Sequence, residues 1–244
     1  MYFRIAYACL NQLLKKPIDG LLFEPTGGYI NFCNSEIAGR LKRLDIPVVI
    51  MDWAVDDCPF SYVSLDDYEG GFLATDYLIK SGHKRIAYLY PDDKLPAIQR
   101  YRGHRSALEK NGITHLEHLD KRTTGLAWDT EGEIERLVEK LLSENKNPPT
   151  AICFYNDAAA IRGCKAIRAA KKRVPLDISV VGYDDADFSA FIDVPLTTVI
   201  HPKFQIGKWA AEILFDEIEN YPHSVKRKMI MKPSLIKRNS VKVL

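Results

Sequence analysis

The sequence lacks the features that mark membrane, secreted and strongly nucleic-acid-bound proteins. No apolar run among its 244 residues approaches the roughly 18 that a transmembrane helix needs, and the N-terminus has no small-residue cleavage site of a signal peptide. The five cysteines include no CxxC pair, which argues against a disulfide framework or a cysteine metal site. The 34 Lys and Arg against 32 Asp and Glu leave a net charge of +2, which is too small for the protein surface as a whole to bind nucleic acid electrostatically. We therefore expect a cytoplasmic protein without a membrane partner.

Motifs of common catalytic sites are missing as well. There is no nucleophile elbow, no Walker loop and no GxGxxG dinucleotide loop. Two possible nucleophiles, Cys153 and Ser179, fall within or at the start of apolar runs rather than at exposed turns. The sequence predicts no catalytic residue, no cofactor and no metal site, although Glu24, Asp52 and Asp184 leave acid–base chemistry as an alternative. No helix-turn-helix pattern is present, so this chain is not expected to bind DNA directly.

What the sequence contains is one unit repeated along the chain: a short apolar run, a polar or Gly/Pro turn, and an amphipathic helix. Runs that are apolar throughout fit parallel strands covered on both faces. The alternation predicts an α/β fold with right-handed crossovers. The predicted strands cover residues 20–23, 48–51, 85–90, 151–155, 179–183 and 196–200, and the predicted helices cover residues 71–80, 133–143, 157–170 and 207–219.

Polar residues directly follow the predicted strands. In open α/β sheets, ligands bind beyond the carboxyl ends of the strands, so these residues are candidates for a binding site. Carboxylates and amides pair with hydroxyl groups, and an aromatic ring covers the C–H face of a sugar. The sequence therefore predicts a site for a small polyhydroxylated ligand. The strand-end residues are Glu24, Asp52 with Trp53, Asn156, Asp184 and His201.

Three segments carry more specific information. They are Ser-Val-Val-Gly-Tyr-Asp-Asp at residues 179–185, Pro-Thr-Ala-Ile-Cys-Phe-Tyr-Asn-Asp at 149–157 and Gly-His-Lys-Arg-Ile-Ala-Tyr-Leu at 82–89. In this order they resemble the effector-binding domain of LacI/GalR-type bacterial transcriptional repressors, over about residues 12–240. Glu-Pro-Thr at 24–26 and Thr-Val-Ile-His-Pro-Lys at 198–203 resemble most the arabinose repressors, which join a GntR-type winged helix to a LacI-type sensor.

The resemblance implies a two-lobed, periplasmic-binding-protein-like fold, in which each lobe is a mainly parallel sheet flanked by helices and the effector lies between the lobes. We expect residues 1–64 with 202–224 in the N-terminal lobe and 65–201 with 225–244 in the C-terminal lobe. The family also implies a homodimer that reaches DNA only through a separate N-terminal head. Only 18 residues precede the Asp-Gly strand that starts at Asp19, so we expect a truncated N-terminal lobe and no head.

Position by position, the resemblance assigns effector contacts to individual residues. Arg100 stands in an Arg-x-x-Gly pattern, whose arginine reaches the effector in this family. Trp128 lies near an aromatic position of the family, and it or Trp53 is expected to cover an apolar face of the ligand. His201 falls on a crossing between lobes, where ligand contact and hinge hydrogen bonding are equally good interpretations. The other assigned residues are Glu24, Asp52, Asn156 and Asp184.

Several of these acids and amides have a simpler alternative role, because Asp and Asn are preferred at helix N-caps. For Asp157 and Asp185 we expect capping. For Asn156 and Asp184 the family position favours ligand contact instead. The Asp-Asp pair at residues 66–67 is expected mainly to start a helix, a structural role.

The sequence thus predicts the effector-sensing domain of a bacterial transcriptional repressor, with no enzymatic activity. The resemblance implies a monosaccharide effector, L-arabinose or another pentose. Two alternatives stay open: an exported sugar-binding protein of a transporter, which shares the two-lobed fold, and an enzyme acting on a small sugar.

Overall fold

The strands and helices alternate along most of the chain. The structure, a computed structural model, describes residues 2–25, 32, 35–54, 58–128, 130–143 and 146–244, with side chains from residue 7 onward. The strands are β1 (Leu21–Phe23), β2 (Val48–Met51), β3 (Ser61–Leu65), β4 (Ile86–Pro91), β5 (Lys121–Thr123), β6 (Ala151–Phe154), β7 (Ser179–Asp184), β8 (Thr197–Ile200), β9 (Lys228–Met231) and β10 (Ser234–Ile236). The helices are α1 (Tyr2–Leu13), α2 (Glu36–Leu41), α3 (Asp67–Lys80), α4 (Leu95–Lys110), α5 (Gly125–Trp128), α6 (Glu133–Ser143), α7 (Asp157–Ala169) and α8 (Lys203–Glu219).

The chain divides into two compact units, each with its own sheet. The first unit comprises residues 1–65 and 202–231, and the second comprises residues 66–201 and 232–244. The first sheet has the order β1-β2-β3-β9, and every neighbouring pair is parallel. Its core forms where α8 packs on β2 and β3, with Val49 and Val63 against Ile206, Ala210 and Ile213.

The second sheet has the order β10-β8-β7-β6-β4-β5, parallel throughout except for the antiparallel β10–β8 pair. Strands β4 and β6 are buried along their whole length, as predicted for strands covered on both faces. Helix α6 buries Ile134, Leu137, Val138 and Leu141, one apolar stripe at helical spacing. These parallel, helix-flanked sheets confirm the predicted α/β class.

The last boundary between the units differs from the one expected between residues 224 and 225. Strand β9 pairs in parallel with β3, from Tyr62 beside Lys228 to Leu65 beside Met231. Residues 225–231 therefore belong to the first unit, and the chain enters the second unit only at Lys232. The side chains of β9 alternate between exposed and partly buried, so this strand does not form the continuous apolar run by which strands were predicted.

Among the described residues, no helix is both long enough and apolar enough to cross a membrane.

Candidate functional site

Arg100 is a buried cation in the second unit. Its side chain extends from α4, where the residue is 5% exposed. The Nε atom donates to Asp67 Oδ1 at 2.7 Å and Nη1 donates to the carbonyl oxygen of Tyr155 at 2.8 Å. The guanidinium carbon lies 3.5 Å from the centre of the Tyr183 ring, a cation–π contact. These contacts fix the guanidinium plane, and among the described residues no hydrogen bond occupies Nη2.

Two glycines let the helix that carries Arg100 approach α3 closely. A Cβ on Gly71 of α3 would overlap the carbonyl oxygen of Arg100, and a Cβ on Gly103 of α4 would overlap the carbonyl oxygen of Tyr68. The backbones therefore touch where any side chain would hold them apart. This close crossing brings Asp67, near the start of α3, within reach of Arg100.

The charge of Arg100 is balanced locally. Burial alone would lower the pKa of Arg100, but Asp67, Tyr183, Tyr155 and Asp184 together hold it well above its ordinary value. The same burial raises the pKa of Tyr183, which keeps its phenol neutral. A permanently charged, immobilised guanidinium is suited to bidentate recognition of hydroxyl or carboxylate oxygens.

Asp184 and His201 lie beside Arg100 at the ends of the neighbouring strands β7 and β8. Asp184 Oδ1 is 3.9 Å from Arg100 Nη1 and 3.7 Å from His201 Nδ1, just outside direct hydrogen-bond distance. A ligand hydroxyl or a water can bridge such gaps. The backbone of Asp184 has φ of 106°, a costly conformation for a residue with a side chain, and such strain concentrates at functional sites.

Asn156 performs the capping role that sequence reasoning assigned to its neighbour. Its side-chain oxygen accepts a hydrogen bond from Ala159 N at 3.0 Å, which makes it the N-cap of α7. The prediction that Asp157 caps this helix is wrong. Asp157 is the first residue inside the helix, fully buried, and it accepts hydrogen bonds from Ala186 N, Ser189 Oγ and Thr198 Oγ1.

Asp185 is also not a helix cap. Its carboxylate accepts a 2.6 Å bond from Arg238 Nη2, and the 3₁₀ turn that follows, Asp187–Ala190, has Ala186 at its cap position. Because Arg238 lies far along the chain, local sequence gave no sign of this pair.

The candidate residues of the first unit lie at the ends of β1 and β2. Glu24 is exposed just after β1, and Asp52 follows β2 with φ of 54° while its backbone N–H donates to Val63 O at 2.9 Å. Since β1 and β2 are parallel neighbours, both carboxylates emerge at the same edge of their sheet. Trp53 is 3% exposed and packs edge-on against Phe32, with ring centres 5.0 Å apart.

Trp128 lies in the core of the second unit. It is 3% exposed and sits edge-on to Tyr155 at 5.9 Å between ring centres. Tyr155 in turn lies 4.8 Å beneath the Arg100 guanidinium. In this arrangement Trp128 supports the aromatic ring that supports the cation.

Three residues of this site were missed by sequence reasoning. Asp67 was assigned mainly to a helix start, yet Asp66 makes the cap bond and Asp67 binds Arg100. Tyr155 and Tyr183 each stand one position before a residue that was recognised, Asn156 and Asp184. A search of the last aromatic position of each strand, as well as the first polar one, would have found both tyrosines.

The two candidate nucleophiles are not placed for catalysis. Cys153 is 1% exposed, and burial raises the pKa of its thiol to about 12, so no reactive thiolate forms near neutrality. The Ser179 hydroxyl is buried and accepts a hydrogen bond from Lys242 N. Neither Cys153 nor Ser179 therefore presents an exposed nucleophile.

The chain is similar to known proteins over most of its length. Residues 75–241 match the family described as a periplasmic binding protein-like domain. The chain belongs to this family. Its relatives in sequence are transcriptional repressors, and solved structures similar to it are LacI family regulators, so within the family it is an effector-binding domain of the LacI/GalR type, as its motifs indicate.

Three relatives illustrate the match. The arabinose metabolism transcriptional repressor of Geobacillus stearothermophilus is 36% identical over 234 residues, which cover 96% of this chain and 64% of the relative. The transcriptional repressor PurR of Aliivibrio fischeri is 36% identical over 242 residues, which cover 95% of this chain and 67% of the relative. The crystal structure of a LacI family regulator from Enterococcus faecium with bound ribose is 26% identical, with a TM-score of 0.81, and the match covers 96% of this chain and 83% of that one. This periplasmic-binding-protein-like domain thus spans about two thirds of the curated regulators it matches.

Proposed function

We propose that this LacI/GalR-type domain binds a free monosaccharide, a pentose such as L-arabinose, and controls the DNA affinity of a transcriptional repressor. The observation that carries the proposal is the fixed Arg100 guanidinium beside the Asp184 carboxylate and the His201 imidazole, at adjacent strand ends. A relative named as an arabinose metabolism repressor and a related structure with ribose support the choice of a pentose.

The chemistry of a sugar fits these groups. Arg100 Nη2 donates to one of two vicinal hydroxyls, and Asp184 accepts from the other while His201 accepts or donates according to its tautomer. Asn156 keeps its oxygen on the helix cap, so its amide nitrogen is the group it offers as a donor. In the first unit Glu24 and Asp52 stay predicted contacts that the family resemblance supplies.

The proposal includes no chemical reaction. Hydroxyl recognition needs ionised carboxylates and a cation, without the tuned proton transfer of an acid–base catalyst. The buried states of Cys153 and Ser179 support this assignment over an enzyme acting on a sugar.

Regulation would follow from binding alone. A ligand shifts a two-state equilibrium only by its difference in affinity for the two states, and DNA and effector affinities then change by the same factor. We assign the DNA contact to a head outside this chain, and we propose a cytoplasmic homodimer because the relatives are transcriptional regulators.

Calorimetric titration of the chain tests the sugar site. The panel is L-arabinose, ribose, xylose, glucose and a purine base. We expect one pentose to bind, and the Arg100→Lys variant, which keeps the charge but loses the planar fork, to weaken that pentose by about tenfold or more. Asp184→Asn, which tolerates the positive φ, should weaken it to a similar extent.

Arg102→Lys is the matched control, since Arg102 is exposed on the same helix and should bind the pentose like the original chain. The proposal fails if the panel contains no sugar ligand, or if Arg100→Lys and Asp184→Asn bind the sugar as tightly as the control does.

A further inference from the structure

Three potential metal ligands converge at the β5 edge of the second unit. His104 lies on α4, His115 lies in the loop after that helix, and Asp120 lies directly before β5. One ligand atom from each residue lies within 4.8 Å of the others. His115 Nε2 is 2.7 Å from Asp120 Oδ2, and His104 Nε2 is 3.9 Å from Asp120 Oδ1.

The His104 ring has one occupied and one unoccupied nitrogen. Its side chain is completely buried, and Nε2 has no hydrogen-bond partner in the described part of the chain. Its Nδ1 is 2.9 Å from Thr75 Oγ1, and that hydroxyl donates its own hydrogen to Gly71 O. When that hydroxyl donates to Gly71 O, Thr75 accepts from Nδ1–H of His104, and Nε2 of the neutral ring is a buried lone pair. A lone pair buried without a donor is unfavourable unless something binds it.

The carboxylate is held in place by a second set of donors. Asp120 Oδ1 accepts from Tyr88 N at 3.2 Å, and Asp120 Oδ2 accepts from the Tyr101 hydroxyl at 2.7 Å. Thr75 orients one imidazole in the same manner. Outer hydrogen bonds of this kind fix the direction of metal ligands in known sites.

The cluster also has access to solvent. Tyr101, Arg102, Arg105 and His115 line an open surface cavity of about 550 Å³. The His115 side chain is 18% exposed, whereas that of Asp120 is 8% exposed. An ion can therefore reach the cluster past His115, and a water molecule can complete its coordination from the cavity.

We propose that His104 Nε2, His115 Nε2 and one Asp120 oxygen bind a divalent transition-metal ion, with Zn²⁺ the best match. Two imidazoles exclude Mg²⁺ and Ca²⁺, which select oxygen ligands. Bonds of about 2.0–2.2 Å in a tetrahedron place ligand atoms roughly 3.4 Å apart. The ligand atoms here lie within 4.8 Å of one another, with His115 Nε2 at 2.7 Å from Asp120 Oδ2 and His104 Nε2 at 3.9 Å from Asp120 Oδ1, so side-chain shifts of about 1 Å bring them to this spacing.

The ion would tie α4 to the strand edge. His104 is one helical turn beyond Arg100 on α4, whereas Asp120 leads into β5. No residue is shared with the proposed sugar site, so we assign the ion a structural role. The sequence predicted no metal because these ligands have no motif spacing and meet only through the fold.

Zinc titration of the chelator-treated chain in a Cys9→Ser background, which removes an exposed thiol, tests the site. We expect one Zn²⁺ per chain, a higher melting temperature, and binding weakened more than about tenfold in His115→Ala and Asp120→Asn. His118→Ala is the matched control, since His118 is exposed three residues beyond His115 and should leave binding unchanged.

Long-range ¹H–¹⁵N spectra of the imidazoles identify the atoms directly. Zinc should change the chemical shifts of the Nε2 signals of His104 and His115 and leave the shifts of the His118 imidazole unchanged. The proposal is overturned if the chain takes up no zinc, if His115→Ala binds it like the control, or if the His104 signal does not move.

Discussion

The two units present their candidate ligand groups in different ways. In the second unit, Arg100 is nearly inaccessible and is fixed by a carboxylate, a carbonyl oxygen and an aromatic ring. In the first unit, Glu24 is exposed after a strand of only three residues. In the second unit, the same contacts of Arg100 therefore contribute to ligand binding and to the folding stability. In the first unit, the exposed Glu24 can contribute to ligand binding without contributing to the core. Substitutions that distinguish the units can therefore test where ligand geometry is built into the core.

The largest expected effect comes from filling the close helix crossing of the second unit. Gly71→Ala places a methyl group on the backbone of Arg100, and we expect it to lower the free energy of unfolding by about 3 kcal/mol. Gly207→Ala on α8 of the first unit meets no atom within 4 Å, and should raise it by about 0.5–1 kcal/mol. Urea unfolding measures both. Hydrogen exchange should locate the loss in residues 66–201, and equal effects of the two alanines would remove the contrast between the units.

A second pair of substitutions separates capping from ligand contact. Asn156 caps α7 in the second unit and Ser35 caps α2 in the first. Replacing either residue by Ala should cost about 1 kcal/mol in unfolding free energy. Asn156→Asp keeps the cap but removes the amide donor, so we expect near-normal stability with weaker pentose binding by calorimetry. Unchanged pentose affinity in Asn156→Asp would leave Asn156 as a cap alone.

The smallest expected effect is a pH dependence confined to the second unit. His83 Nδ1 contacts Thr150 Oγ1 at 3.0 Å and Nε2 donates to Lys242 O at 3.1 Å, while burial lowers the pKa of His83 below 6.5. Because the unfolded chain then binds more protons, stability is full above pH 6.5 and falls as the pH decreases toward the folded-state pKa.

His83→Gln should therefore flatten the stability curve between pH 7 and pH 5, measured by urea unfolding at a series of pH values. His118→Gln, at an exposed position, should leave the curve unchanged. A curve for His83→Gln as steep as that of the original chain would contradict the assignment.

The elements that sequence patterns predicted well are those whose environment is uniform. The helix expected at residues 133–143 is observed as Glu133–Ser143, because one apolar stripe faces one core. The strand expected at residues 48–51 is observed as Val48–Met51, because it is apolar and buried. In both, local periodicity and tertiary burial agree.

The strands that the sequence did not predict are those that contain polar residues, whether the strand is buried or lies at a sheet edge. Strand β3 is buried throughout although it contains two serines, and the Ser61 hydroxyl donates to the buried Glu217 carboxylate. Strand β5 is short and polar because it forms a sheet edge. Polar partners distant in sequence determine such segments, so no local pattern reveals them.

The candidate site likewise contains residues that could be predicted from the sequence and residues that could not. Strand-end residues such as Asp184 and His201 could be predicted because the chain topology alone brings them to one sheet edge. Asp67 reaches Arg100 through the packing of two helices, and Asp185 reaches Arg238 through a distant strand. Local spacing carries no information on either contact.

The late return of the chain to the second unit has a consequence for its synthesis. Strand β10 pairs with β8, and Ser240 Oγ donates to Val180 O while accepting from Thr197 N. The domain that holds Arg100 therefore leaves the ribosome with its sheet unfinished, and the exposed edge of β8 stays open until residues 234–240 emerge. An unpaired strand edge invites pairing with another chain, so during the interval between the translation of β8 and β10 this edge is open to such pairing.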